Sequence, residues 1–371
     1  RVIQITESFG EDPSRTHHGG ESAAQAVCDR GLTDGSASLY ARAQWNLALA
    51  LLLDGRFEQG WKQYRWRRRI SARETAYPHC YDAPHWDGSP LDGRRLLLHY
   101  EQGFGDSIQF IRYAPLVKAS GGHVVLEVRR PLACLFHRSL AVEEIVVASS
   151  DPVPTDAFDV HASLLDLPRL FRTTPETVPD DVPYLHPDHA KVEYWEKRLC
   201  GDGLAVGVVW SGSSTHGDDR RRSCRLAEFE PLREIDGLRL FGLQKGSQAA
   251  EADILGRELN LVNIGDEFGD FDDTAAAIAN LDLVISVDTS VAHLAGAMGR
   301  PVWTLLPFSP DWRWMLERTD TPWYPTMRLF RQTTEGRWAD VFGQVAEQLA
   351  VLAARRKTDC STTTASQELR T

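Results

Sequence analysis

The chain has 371 residues, 42% of them hydrophobic, and a formal net charge of −11. This length allows about two ordinary domains with appendages, and the acidic balance argues against a general nucleic-acid-binding protein. The six cysteines lack CxxC or zinc-ligand spacing, and no apolar run is long enough to span a membrane, so we expect a reduced, cytoplasmic protein.

The first predicted elements are two helices over residues 39–70, after residues 1–38, which we expect to be loose. The apolar residues expected on their buried faces are Leu39, Ala43, Leu47, Ala50, Leu51, Phe57, Trp61, Tyr64 and Trp66. Their order, with a turn at Asp54–Arg56, resembles one tetratricopeptide-type helix pair, placed at residues 39–75. A lone pair cannot stack into a solenoid. We therefore favour a hairpin packed on the next domain over the last repeat of a partner-binding array.

Two basic clusters, Arg65–Arg69 and Arg220–Arg222, stand out in this acidic chain. A local cluster of this kind suits a small anionic ligand better than a polyanion. A solvated helix face is the alternative for the first cluster.

From about residue 94, strands alternate with helices in two sets, separated by Pro179, Pro183 and Pro187. The predicted strands are Arg95–Tyr100, Val124–Val128, Ile145–Ala148, Phe158–His161, Ala205–Trp210, Leu238–Leu243, Leu261–Ile264, Leu283–Val287 and Val302–Leu306. The predicted helices include Ser107–Ser120, Pro131–Leu140, one from Leu226, Ser247–Glu258, Phe271–Asn280 and Trp338–Ala354. This α/β pattern predicts two Rossmann-like, doubly wound parallel-sheet domains, residues 76–188 and 189–355, facing across a cleft. A polar tail, residues 356–371, follows.

A glycine-rich turn follows the first predicted strand. Gly103 and Gly105 permit a tight turn and close approach of a ligand, and Gln109 lies one turn further on. Asp106 stands where a helix begins, so it is either an N-cap or a general base that deprotonates an acceptor hydroxyl.

Polar residues also follow the predicted strands of the second set. Ser211, Ser213, Arg220 and Arg222 belong to a loop that suits phosphate, although a solvated loop is equally compatible with them. Gln244 and Lys245, at the end of the next strand, either contact a nucleotide or cap the turn.

The run from Leu283 to Val302 predicts a buried strand, a polar turn and a helix. Asp288 is a candidate N-cap, and the amides of Thr289 and Ser290 are expected to face outward at the helix N-terminus, where an anion is stabilised. His293 shares a helix face with Thr289, which favours ligand contact over a structural role.

A dense aromatic loop, Phe308–Trp314, follows the next strand. Trp312 is its candidate cleft residue, because an aromatic ring there could stack on a base or a sugar. Packing over the cleft or on the closing helix is the alternative.

Taken together, these segments resemble glycosyltransferase family 9, the ADP-heptose:lipopolysaccharide heptosyltransferase group, in the bacterial subtype with preceding tetratricopeptide repeats. The segments that carry the resemblance are GFGDSIQFIRYAPLV, VVWSGSSTHGDDRRRS, LFGLQKG, DLVISVDTSVAHLAGAMGRPVW and DWRWMLERTDTPWYPTMRLFRQ. The resemblance implies a GT-B fold, a nucleotide-sugar donor as substrate, no cofactor, no metal and inversion at the anomeric carbon.

Carried over by position, Asp106 matches the candidate base of the family. The donor-binding positions are Ser211, Ser213, Arg220, Arg222, Gln244, Lys245, Asp288, Thr289, Ser290 and His293, and the cleft or acceptor positions are Gly103, Gly105, Gln109 and Trp312. The aromatic DWRW loop departs from the lipopolysaccharide enzymes, which leaves the acceptor open between a surface glycan and a protein.

The sequence therefore predicts a cytoplasmic glycosyltransferase with a possible protein partner at the helix pair. A non-catalytic scaffold is the main alternative, and nucleotide binding would discriminate the two. A sugar-nucleotide epimerase is a third class, but it needs a second acid/base group, which we do not find in the sequence.

Overall fold

The computed structural model describes residues 35–70, 81–149, 151–213 and 219–368. Side chains are described only for those residues that lie between 39 and 356. Of the segment expected to be loose, residues 1–34 lie outside the described part. The described chain forms a helix pair followed by two halves, each built on one parallel sheet. No helix in these ranges is long and apolar enough to cross a membrane.

The helix pair consists of α1 (Gly35–Leu53) and α2 (Phe57–Tyr64), joined by a turn at Asp54–Arg56. Gly60 allows the two helices to approach closely, because a Cβ at this position would lie 2.6 Å from Leu52 Cγ. The apolar face predicted for α1 is wrong except at Leu51, which is buried as expected: Leu39 is 68% exposed, and the other buried residues are Ala41, Ala48 and Leu52. The hairpin itself is as predicted, while its kinship to tetratricopeptide repeats stays a prediction.

The first half contains a four-stranded parallel sheet in the order β3-β2-β1-β4. Its strands are β1 (Arg95–His99), β2 (His123–Val128), β3 (Glu144–Val147) and β4 (Val160–Ser163). Its helices are α3 (Phe104–Phe110), α4 (Ala114–Lys118), α5 (Arg130–Ser139) and α6 (Leu167–Leu170). Three consecutive leucines of β1, Leu96–Leu98, are fully buried, as expected for a parallel strand covered on both faces.

The second half contains a six-stranded parallel sheet in the order β10-β9-β8-β5-β6-β7. Its strands are β5 (Leu204–Val209), β6 (Leu238–Gly242), β7 (Leu261–Asn263), β8 (Leu283–Val287), β9 (Val302–Leu306) and β10 (Met327–Arg331). Its helices are α7 (His189–Leu199), α8 (Asp219–Arg222), α9 (Ala250–Leu255), α10 (Phe271–Ala279), α11 (Ser290–Ala297) and α12 (Ala339–Glu368). Numbered from β5, this is the 3-2-1-4-5-6 order of the Rossmann fold, and the first half repeats its 3-2-1-4 part.

Several predicted elements change in length or type. The helix expected over Ser107–Ser120 is divided into α3, a 3-10 turn and α4, with Pro115 in the first turn of α4. The helix expected from Leu226 is a 3-10 segment that contains Pro231. The closing helix continues to Glu368, so it includes most of the expected polar tail.

The proline-rich linker is fixed to both halves through Tyr184. Its backbone N–H donates to Ala297 O at the end of α11 (3.0 Å), and its hydroxyl donates to Ile108 O of α3 (3.0 Å). Arg112 donates to the same hydroxyl (3.0 Å) and to Trp323 O (2.6 Å). The linker therefore ties α3 of the first half to α11 of the second half.

Candidate active site between the two sheets

The candidate site lies where the carboxyl edges of the two sheets meet. Ligands of open α/β sheets bind outside this edge, at the point where the strand order reverses. That point lies between β1 and β4 in the first half and between β5 and β8 in the second. The two edges are in contact, since a Cβ on Gly105 of α3 would lie 2.7 Å from Cδ2 of His293 in α11.

Asp106 is the acidic residue of the first edge. It is not the N-cap of α3 but lies in its first turn, and its Oδ2 accepts from the backbone N–H of Gly103 at 2.7 Å. Its Oδ1 accepts from the guanidinium of Arg313, which belongs to the second half. The side chain is 12% exposed, so the carboxylate is held between the halves with limited access to solvent.

Arg313 was missed as a site residue, although it lies inside the aromatic loop noted in the sequence. Its Nε donates to Gln109 Oε1 (2.6 Å), and its Nη1 donates to Asp311 Oδ1 (2.9 Å). Its Nη2 donates to Asp106. Gln109, expected at the acceptor side, is fully buried and bound to this arginine. The sequence signal that could have found it is an arginine between two tryptophans in the loop after β9.

The donor-side motif forms the N-terminus of α11. Thr289, not Asp288, is the N-cap, and its hydroxyl accepts from a first-turn N–H at 3.3 Å, while Ser290 begins the helix. His293 is hydrogen-bonded through Nδ1 to Tyr324 Oη (2.8 Å), and its Nε2 lies 3.9 Å from Asp288 Oδ1. The expected strand, polar turn and helix are therefore present, with Thr289 as the cap.

Two side chains at this edge, Asp288 and His293, have pKa values shifted from those of free side chains. Burial, together with the negative charge of Asp311, raises the pKa of Asp288 to about 6. Burial lowers the pKa of His293 well below its usual value, and the charges of Arg313 and Arg222 act in the same direction. The imidazole is therefore neutral at physiological pH, and the fixed positive charge of the site comes from arginine.

The predicted phosphate loop, Ser211–Arg222, is described except for residues 214–218. Ser223 Oγ accepts from the Gly212 N–H (3.0 Å) and donates to Asp219 Oδ1 (3.0 Å), which closes the loop. Arg222 lies beside Asp219 (3.5 Å) and is 19% exposed, whereas Ser213 and Arg220 are exposed. Among its predicted residues, Ser211 is the most buried (5% exposed). Arg222 is the less exposed of the two predicted arginines and lies against Gly212 in the turn after β5.

The Gln244 and Lys245 pair does not point into the cleft together. Gln244 is buried, and its Oε1 accepts from the N–H groups of Trp210 (3.2 Å) and Ser211 (3.0 Å). Lys245 is exposed and donates to the carbonyl of Phe268. Gln244 therefore caps the end of β5, which agrees with the second interpretation offered by the sequence.

The expectation that Trp312 lines the cleft is corrected by the structure. The ring is 4% exposed and is enclosed by Trp61 (5.3 Å between ring centroids), Tyr64 (6.1 Å) and Phe110 (6.5 Å). These rings come from the helix pair and from α3, so Trp312 packs in the interior and is not open to a ligand. The burial of so large an apolar surface favours this packing.

The basic cluster at Arg65–Arg69 is neither a ligand site nor a fully solvated face. Arg67 is 1% exposed and binds Glu101 through two hydrogen bonds (2.8 and 2.7 Å). It also pairs with Asp166 (3.1 Å). Although burial opposes ionisation, Arg67 and Arg68 hold the pKa of Asp166 well below its ordinary range. Arg67, in the 3-10 turn Arg65–Arg69 that directly follows the helix pair, thus bridges the carboxylates that come after β1 and β4.

The arrangement can support transfer chemistry across the gap between the halves. A carboxylate, Asp106, faces a helix N-terminus flanked by a neutral histidine and by two arginines, Arg222 and Arg313. Asp106 can accept a proton, and the helix N-terminus with its two arginines can stabilise an anionic leaving group. Within the described ranges, no group of three or more His, Cys, Asp or Glu side chains is placed to hold a metal ion.

The sequence comparisons agree with the family resemblance. The model of glycosyltransferase family 9 (heptosyltransferase) matches residues 236–335, a stretch that includes β8, α11 and the DWRW loop. Protein FlbA of Caulobacter vibrioides is 33% identical in an alignment of 363 positions that covers 90% of this chain. The chain spans 59% of the length of that relative.

Two solved structures share the fold. The glycosyl transferase family 9 protein from Veillonella parvula has a TM-score of 0.53 at 11% identity, covering 73% of this chain and 98% of its own. The ADP-heptose LPS heptosyltransferase II of E. coli has a TM-score of 0.51 at 14% identity, covering 71% and 99%. The prediction of an α/β fold with two parallel sheets is confirmed.

Proposed function

We propose that this chain, which matches glycosyltransferase family 9 over residues 236–335, transfers a sugar from a nucleotide-diphosphate donor to an acceptor hydroxyl. One observation carries the proposal. The matched stretch contains α11, whose N-terminus lies at the switch point of a 3-2-1-4-5-6 sheet and which contacts α3, the helix that carries Asp106.

The donor side follows from the second half. The diphosphate would lie at the N-terminus of α11, where the backbone N–H groups and the helix dipole favour an anion. Arg222, beside the turn after β5, would neutralise part of its charge. The neutral imidazole of His293 fits a positioning role, because its Nδ1 is already bonded to Tyr324.

The reaction would proceed across the gap between the sheets. The acceptor oxygen attacks the anomeric carbon from the first half, and the bond from that carbon to the diphosphate oxygen breaks toward the second. Asp106 takes the hydroxyl proton, and the diphosphate leaves with the electron pair. Attack opposite the leaving group inverts the anomeric centre, and in our proposal no metal takes part.

We propose a surface glycan or a protein as the acceptor, reached from the cytoplasm. The helix pair packs its aromatic residues inward against Trp312 and Trp323, so a protein partner would meet its outer face, where Leu39 and Tyr40 are exposed.

The test is a screen of ADP-, UDP-, GDP- and dTDP-sugars for release of the nucleotide, with calorimetric titration of the nucleotide diphosphates. Asp106→Asn should lower turnover by about 10²–10⁴-fold, because the proton acceptor is lost. Nucleotide affinity should stay nearly unchanged, since the donor lies on the other half. Asp320→Asn is the matched control, as Asp320 is an exposed surface aspartate. A scaffold would release no nucleotide, and an Asp106→Asn protein that is folded but has lost affinity contradicts the assigned role.

A further inference from the structure

The DWRW loop of the second half reaches across to the first half through Arg313. This guanidinium is 6% exposed and donates to three side chains. Two of them, Asp106 and Gln109, belong to α3 of the first half, and the third, Asp311, lies in the same loop. The partner Asp106 is 207 positions away in sequence, so the pair forms only when the two halves meet.

The surroundings fix this guanidinium in place. It lies over the ring of Trp312 (4.5 Å to the centroid) and near that of Phe110 (5.6 Å), which suits a planar cation. Although burial disfavours its charge, the carboxylates of Asp311 and Asp106 raise the pKa of Arg313 above its ordinary value. Arg313 is therefore a permanently charged group with a defined orientation.

Both oxygens of Asp106 have donors. Oδ2 accepts from the Gly103 N–H at 2.7 Å, and Oδ1 accepts from Arg313. Each carboxylate oxygen offers about two acceptor positions, so room remains for an incoming hydroxyl. The two bonds leave the carboxylate one orientation, and orientation of a reacting group contributes strongly to rate.

We propose that Arg313 is a positioning residue, which orients the Asp106 carboxylate toward the acceptor hydroxyl when the two halves are together. This inference rests on the proposed function. The second half thus binds the donor and also orients the base on the first half, so the base is placed only when the donor-bearing half is docked. The charge of Arg313 also acts on Asp288 and His293, which places it between the two sides of the site.

The experiment compares Arg313→Gln and Arg313→Lys with wild type, using whichever nucleotide sugar the wild-type chain turns over. Arg318→Gln is the matched control, because Arg318 lies in the same region, is 36% exposed and pairs with the surface residue Asp320. Arg313→Gln should lower kcat by about 10–100-fold, the value of a charge-assisted hydrogen bond, with the donor KM changed by less than about threefold. Arg313→Lys keeps the charge but not the planar fork, so its kcat should lie between those of wild type and Arg313→Gln.

A purely structural role would give a different result. In that case the loss would follow the unfolded fraction, and kcat would return to the wild-type value on cooling well below the unfolding midpoint. That outcome overturns the inference, as do an Arg313→Gln variant with wild-type kcat and an Arg313→Lys variant no better than Arg313→Gln. A wild-type chain that turns over none of the nucleotide sugars overturns the proposed function first, and the inference with it.

Discussion

Gly105 is the point at which α3 touches α11, and Gly105→Ala tests that contact. The new Cβ would lie 2.7 Å from His293 Cδ2, about 1 Å inside ordinary carbon–carbon contact. His293 cannot easily move away, because Nδ1 is bonded to Tyr324 (2.8 Å) and the ring stacks on Trp314 (5.3 Å between centroids). We expect overpacking to cost about 1–3 kcal/mol, partly offset by the better helix propensity of alanine.

The assay is urea unfolding followed by tryptophan fluorescence, with midpoints compared directly because the protein has two halves. Gly343→Ala is the control, since a Cβ there meets nothing within 4 Å and the residue lies in α12. Gly343→Ala should raise the free energy of unfolding by up to about 1 kcal/mol. The urea midpoint should therefore rise for Gly343→Ala and fall for Gly105→Ala. A Gly105→Ala protein that unfolds at the same or a higher urea concentration than wild type would refute the close contact between the halves.

Two further predictions concern buried charges. Burial and the charge of Asp311 raise the pKa of Asp288 to about 6, so the folded protein favours the protonated carboxyl. The free energy of unfolding is therefore highest below about pH 4 and falls as the pH rises to about 6. Asp288→Asn should therefore match wild type near pH 4 and exceed it at pH 8 by up to about 3 kcal/mol in urea titrations, and equal stability at both pH values would contradict the raised pKa. Arg67→Met removes the ion-pair partner of the buried Glu101 and leaves Asp166 with the more distant Arg68 (3.9 Å), so it should cost about 3–5 kcal/mol. The exposed neighbour Arg65 provides the control, and Arg65→Met should lie within about 0.5 kcal/mol of wild type.

The strands could be predicted from the sequence because a parallel strand covered on both faces is a short continuous apolar run. β8 (Leu283–Val287) and β9 (Val302–Leu306) were placed to the residue. Strand β10 was missed, because its arginines interrupt the apolar run at the edge of the sheet, and α7 was not expected after the linker. Local pattern was therefore enough for the inner strands and insufficient at the edge.

Only part of the candidate site could be predicted from the sequence, because positions follow from local pattern and roles depend on distant partners. The positions of Asp106 and of the Asp288–His293 run follow from strand ends, which local pattern reveals. The roles of Arg67, Trp312 and Arg313 depend on partners 34 or more positions away, and nothing in the local sequence indicates them. Whether a charged or aromatic residue binds a ligand or packs in the interior is decided by the tertiary fold.

The helix pair is fixed to both halves at once, and this restricts how the protein can move. Arg67 ties it to the first half, while Phe57 and Trp61 pack on Trp323 and Trp312 of the second. A wide opening would have to expose these rings. At roughly 25 cal/mol per Å² and about 150–250 Å² for a fully buried ring, the cost is roughly 4–6 kcal/mol for each ring. We therefore expect any opening between the two sheets to be a small rocking, with its amplitude limited by the helix pair.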